Sequence, residues 1–266
     1  MTQVFASNIH HYFKIIASFH HGFDRFQNSR IVALTASNII LQYHTNRSVS
    51  KHNEYPEKVC ELLDGVSKKA WEDFDYTTNI SNLVYVTTIF DTFLSDTTNF
   101  LMLLNPPSIG KTHMFQVDDI VSATSVSELL NQAILKKVRD ISYLPFIGRI
   151  KYLGDTFGVS IKFSDIVFDM LEKYSGIRNV IVHDQGLYNM KLDDSKKIKL
   201  EPKIFGHKPT LVKNEELKEA QCVYIWLFMK ISKDVMSRIL KNKSHDKFNS
   251  MIMDLEVMLK NNNFDL

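Results

Sequence analysis

Two residues that can do acid–base and phosphate chemistry stand five positions apart in the stretch YSGIRNVIVHDQG, residues 174–186: Arg178 and His183. An imidazole exchanges a proton near neutral pH, and a guanidinium neutralises the charge that grows on phosphate oxygens in a displacement. Together they supply what internal RNA cleavage requires, in which a 2′-hydroxyl attacks its own phosphodiester without a metal ion. Spacing alone is weak evidence. With four to six residues allowed between them, seven arginines and ten histidines predict about 0.8 matches by chance, and the chain holds three: Arg47–His52, Arg178–His183 and Arg238–His245. The first lies in a polar, loop-like run, and the last leaves its helix before reaching the histidine. Only the middle pair is embedded in a strong apolar pattern.

Other chemistry fares worse. NPPSIGKTH ends in the Gly110-Lys111-Thr112 of a phosphate-binding loop, but Asn105 stands where that loop needs its first glycine. Two prolines also remove amide donors, and a helix rather than a strand precedes it, so an inter-helix loop is the better reading. His10-His11, His20-His21, His113 and His207 show no His-Glu-x-x-His pattern, no supporting cysteines and no expected acidic partner at i+3 or i+4, so no metal and no cofactor is expected. Cys60 and Cys222 are too few for a disulfide framework and point to free thiols in a reducing cytoplasm.

The elements that must position the pair are mainly helical. Gly and Pro are scarce, at 9 and 6 of 266 residues, and apolar residues recur at three and four. Composition is 44% hydrophobic and 23% charged, ordinary for a globular chain, and a net charge of +2 excludes a nucleic-acid-coating protein. The N-terminus lacks the basic and apolar regions of a signal peptide. The most apolar run, CVYIWLFMKI, is about half of the ~20 residues a membrane span requires. A soluble, cytoplasmic protein without membrane contact is expected.

Along the chain, residues 1–80 form an N-terminal helical extension of two or three short helices, broken near HTNRSVSKHNEYP. Residues 81–266 form the main helical unit. Ser81–Leu104 is its first long helix, stopped by NPPSIG. SVSELLNQAILKKVRDI follows, with Ser125 or Ser127 as N-cap and Glu128 placed for a capping box. The segment 186–214 alternates β-prone runs with Pro and Gly and forms a small hairpin. The last long helix carries Ala220, Val223, Leu227, Ile231 and Val235 at core spacing.

On a helical wheel Phe163, Ile166, Val167, Met170, Tyr174, Ile177 and Ile181 make one buried stripe, if the helix runs unbroken through Ser175-Gly176. Arg178, Val182, Asn179 and His183 occupy the other side. Val182 is an apolar residue amid that polar face, where a second surface would cover it.

IRNVIVHDQG resembles the Arg-Asn-x-x-x-His motif of the HEPN superfamily, in the branch found among bacterial toxin and phage-defence ribonucleases. The likeness covers about residues 83–240 and includes a first core helix with IFDTFLSD, the Gly after the histidine, a hairpin-like insert and a closing helix. It implies an all-α bundle that dimerises around the motif helices. It also implies metal-independent endoribonuclease activity on RNA, and an antitoxin-like or sensor partner. By position, Arg178 would bind and polarise the phosphate, His183 would be the acid/base, and Asn179 would orient the pair. Asp91 corresponds loosely to an acidic residue of that first helix; a semi-exposed helix Asp is the alternative. Some members of the superfamily are non-catalytic binding or assembly modules, and that reading stays open from sequence.

Overall fold

A computed structural model describes residues 2–47, 68–110, 120, 123–162, 164–184, 188–192, 198–202, 212–240, 250, 253 and 257. The chain is all-helical in its core. In order, the helices are α1 (Thr2–Arg47), α2 (Lys68–Leu104), α3 (Val126–Ser142), α4 (Phe146–Phe157), α5 (Asp165–Asp184) and α6 (Asn214–Leu240). A short 3-10 turn, Pro106–Ile109, follows α2. Between α5 and α6, β1 (Tyr188–Leu192) and β2 (Ile198–Pro202) pair antiparallel, with Met190 opposite Leu200. Among the described residues no helix is long and apolar enough to cross a membrane.

The first eighty residues differ from expectation. α1 ends at Arg47, within the polar run where a break is expected, but it is one helix of 46 residues rather than a short one. The expected helix start at Ser81 is also displaced, because α2 begins at Lys68 and runs for 37 residues. A boundary between residues 80 and 81 therefore cuts through a helix. The polar run before Ser81 blurs the apolar period without breaking the helix, since it holds no Pro or Gly that would end one.

Nor is α1 an appendage. Its Tyr12, Ile16, Phe19, Phe23 and Phe26 are buried in the same apolar cluster as α2, α5 and α6. Phe19 of α1 stacks on Phe228 of α6 at 3.9 Å between ring centres, while Phe93 of α2 meets both edge-on at 5.5 and 4.9 Å. Each buried Phe contributes about 1.5–3 kcal/mol of burial free energy, so three rings from three helices clamp the bundle at one level. A buried polar tie, Arg30 Nη1 donating to Gln221 Oε1 at 2.7 Å, joins α1 to α6 further along.

α2 is the hub, touching all five other helices. A second cluster, with Met102, Ile109, Ala133, Ile134 and Ile141, seats α3 against the end of α2. Ser125 is the N-cap of α3: its side chain accepts from the Glu128 amide at 3.2 Å, and Glu128 accepts in return from the Thr124 amide and hydroxyl, both at 2.7 Å. Those bonds hold the exposed Glu128 carboxylate below its usual pKa.

Helix α4 was not foreseen in the sequence. It ends at Gly158, whose φ of 72° is the left-handed conformation that closes a helix. Arg238 of α6 donates from Nη2 to the Gly158 carbonyl and from Nε to Asp234 Oδ2 at 2.7 Å. In α6, Ala220, Val223, Leu227, Ile231 and Val235 are all fully buried, the spacing expected of a core stripe.

Candidate functional site

α5 is continuous through Ser175-Gly176, and the rotation it adopts decides what its Arg and His can reach. Its buried side chains are Val167, Leu171, Tyr174, Ile177 and Val180. That stripe is rotated from the expected one: Ile166 is 66% exposed, Val180 is buried, Met170 and Ile181 are only partly covered, and Phe163 lies outside the described residues. Two polar ties join α5 to α6 in this rotation. The Tyr174 hydroxyl donates to Glu219, and Lys173 Nζ lies 3.0 Å from Glu216 Oε1. Burial first, and the Glu219 hydrogen bond second, push the Tyr174 phenol well above its ordinary range, so it stays a donor.

So rotated, α5 turns Arg178 and Asn179 into a cleft of about 400 Å³ between α2, the α3–α4 corner and α5. Asp91, Thr87, Arg149 and Tyr143 line the same cleft. Arg178 Nη1 donates to Asn179 Oδ1 at 3.0 Å, so the two neighbours act as one unit at the wall. Arg178 is half-buried; Asn179 and Val182 are exposed, Val182 at 46%. The helix carries His183 one turn beyond Asn179, in its last turn. The His183 side chain lies outside the described residues.

Opposite Arg178, the Asp91 carboxylate is taken up by Arg149 of α4. Arg149 Nη1 donates to Asp91 Oδ1, and Nη2 donates to the Asp91 carbonyl at 3.0 Å and to Ser95 Oγ at 2.8 Å. Asp91 is thus more than a semi-exposed helix residue: it is the counter-ion of a guanidinium only 2% exposed. Arg149 also lies over the Phe146 ring at 5.7 Å, and its Nε has no partner among the described residues. Nothing in the sequence marks Arg149, which sits in an apolar run, FIGRIKYLGDTF, with no acidic residue at helical spacing on its N-terminal side.

The electrostatics of the cleft reach the buried Tyr224 of α6, to which Thr87 Oγ1 donates at 3.4 Å. Burial raises the Tyr224 phenol pKa; the Thr87 bond and then the charge of Arg178 pull it down, and Asp91 pushes it up. Arg178 and Asp91 therefore both act on one buried hydroxyl from two different helices.

Of the other two Arg–His pairs, only Arg238 has a described side chain. Arg238 is committed to the end of α4, as above, and His245 and His52 lie outside the described residues, as does the Arg47 side chain. Lys111 and Thr112 of the GKT run also lie outside them; Gly110, which precedes them, is exposed at φ 94° after a 3-10 turn.

One histidine group does gather. His20, His21 and Asp24 bring a ligand atom each within 4.8 Å of one another on α1, and His20 Nδ1 is 2.9 Å from Asp24 Oδ2. Asp24 stands at i+4 and i+3 from the two histidines, so the expectation that they have no acidic partner at that spacing is wrong. An exposed i,i+4 contact between the His20 ring and the Asp24 carboxylate accounts for this geometry. Cys222, the free cysteine among the described residues, is buried, and burial pushes its thiol up to about 11, so it is no nucleophile at neutral pH.

No family model matches the chain, and neither a curated protein nor a solved structure matches it.

Proposed function

We propose that this chain is a metal-independent endoribonuclease of the HEPN type, cytoplasmic and working as a homodimer around α5. The observation that carries the reading is the cleft in which Arg178 and Asn179 of α5 meet Asp91 of α2. Those are three of the four residues that the sequence motif and its resemblance single out.

In this reading Arg178 takes the scissile phosphate and neutralises the charge that develops on the phosphorane oxygens. Asn179, already bonded to Arg178, holds the guanidinium in the plane that a phosphate can meet with two parallel bonds. His183 removes the 2′-hydroxyl proton or protonates the leaving 5′-oxygen. Asp91 has its carboxylate engaged by Arg149, so it is a positioning residue and no proton carrier. The dimer brings the partner's copy of α5 to the same seam, where Val182 is covered. A role in toxin or anti-phage systems, with an antitoxin-like or sensor partner, accompanies the family resemblance.

Incubation with total RNA in the presence of EDTA tests the reading, with the wild type beside Arg178→Ala and His183→Ala. Fragments ending in 2′,3′-cyclic phosphate are expected from the wild type alone, with both variants melting within a degree or two of it. Full activity in His183→Ala, or activity that EDTA removes and magnesium restores, overturns it. RNA that binds through Arg178 and is never cut makes the chain a binding module instead.

A further inference from the structure

We infer that Tyr143 is a stacking platform for one unpaired base, and that the cleft therefore selects single-stranded RNA; this rests on the ribonuclease reading above and names its substrate class. Tyr143 lines the cleft that Arg178 and Asn179 line, yet it is 81% exposed. The ring buries little apolar area and so adds little to folding. Its backbone, in contrast, is fixed. Tyr143 caps the C-terminus of α3, the next amide, of Leu144, donates to the Ile141 carbonyl at 2.9 Å, and Pro145 then opens α4. An aromatic ring on a rigid corner at the mouth of a cationic cleft loses little entropy on receiving a flat ligand.

The chemistry across the cleft matches one nucleotide. Arg178 offers a guanidinium to a phosphate, Asn179 offers an amide, and Tyr143 offers a π-face, with Leu144 beside it at 43% exposure. A volume of about 400 Å³ is at the small end for a ligand site, near the lower end of the ~300–1,000 Å³ range, and admits a nucleotide rather than a helix. A base in a duplex has both faces covered by its neighbours and cannot turn one onto a side chain, whereas an unpaired base can. Every base has such a face, so the platform selects strandedness and is tolerant of sequence.

Fluorescence anisotropy with a labelled single-stranded RNA made uncleavable by 2′-O-methyl groups tests this on the full chain. Tyr143→Ala should weaken binding roughly ten- to a hundred-fold, while Tyr143→Phe and Tyr143→Trp retain it. Arg178→Ala should weaken binding too and lower the salt slope by about one phosphate's share. The same RNA as a duplex should bind weakly and be indifferent to Tyr143. Single-strand binding by Tyr143→Ala equal to the wild type overturns the platform, and if Arg178→Ala still weakens binding, the ribonuclease reading survives it. Wild-type binding by both variants removes the cleft from RNA recognition altogether. A Tyr143→Ala change that alters only the oligomeric state assigns the ring to a protein contact and also overturns the platform.

Discussion

Removing either member of the Arg149–Asp91 pair should destabilise the fold, and the two losses should be unequal in a direction the structure dictates. Arg149 is 2% exposed and Asp91 37% exposed. Asp91→Ala leaves a guanidinium inside the bundle with only the Asp91 carbonyl and Ser95 as acceptors, and an uncompensated buried charge costs about 3–5 kcal/mol. Arg149→Met keeps an unbranched apolar stem without the guanidinium and leaves a carboxylate that water can partly reach. Ser95 Oγ still donates to the Asp91 carbonyl at 3.1 Å, so that acceptor is not stranded. The expected loss is then about 2–3 kcal/mol, or roughly 5–10 °C in Tm for a chain of this size. The double variant removes both charges, so it should be more stable than Asp91→Ala alone, a coupling outside simple additivity. Urea unfolding followed by far-UV ellipticity measures all four proteins, and equal m-values license the comparison. Arg149→Met costing more than Asp91→Ala, or losses that simply add, refutes the reasoning, because either result means the pair is not a buried cation with a half-exposed partner.

Val182, 46% exposed beside Arg178 and Asn179, should tolerate Asp without unfolding; sedimentation velocity should then show a dimer become a monomer that no longer cuts RNA, and a wild type that is monomeric at micromolar concentration and active defeats the shared-site idea. Gly158→Ala puts a side chain at φ 72° with its Cβ 3.1 Å from Arg238 Nη1, so chemical denaturation should register a loss of about 1–2 kcal/mol, and no loss would contradict the strain. Burial holds the Asp96 carboxyl above its ordinary pKa against the pull of His11, so its stabilising protonated form is complete below about pH 3.9, the unfolded value, and is lost as pH rises through the folded one. Asp96→Asn should therefore raise Tm at pH 7 and leave it unchanged near pH 3.5; a variant less stable at pH 7 reverses the sign.

The local features were legible because they are encoded within a turn or two of chain. Ser125 and Glu128 specify a helix start by bonds that span three residues, and the prolines after Leu104 end α2 by removing donors. Ala220, Val223, Leu227, Ile231 and Val235 of α6 repeat at the helical period, although packing buries every residue from Ala220 to Met229, and Arg178, Asn179 and His183 are one motif on one helix. The rotation of α5 was not so encoded. Ile166 and Val180 are both apolar, and only the packing of α5 into the shared core, with the ties of Tyr174 to Glu219 and Lys173 to Glu216 beside it, leaves the first exposed and buries the second. The length of α1 and its place in the core were likewise hidden, since Phe19 finds Phe228 only when distant helices pack. The same holds for Arg149 on Asp91, and for Tyr143 at the cleft mouth. Periodicity tells a helix which residues are apolar; which neighbour covers them, and which charge lies across the gap, is settled by the packing of segments that share no local pattern.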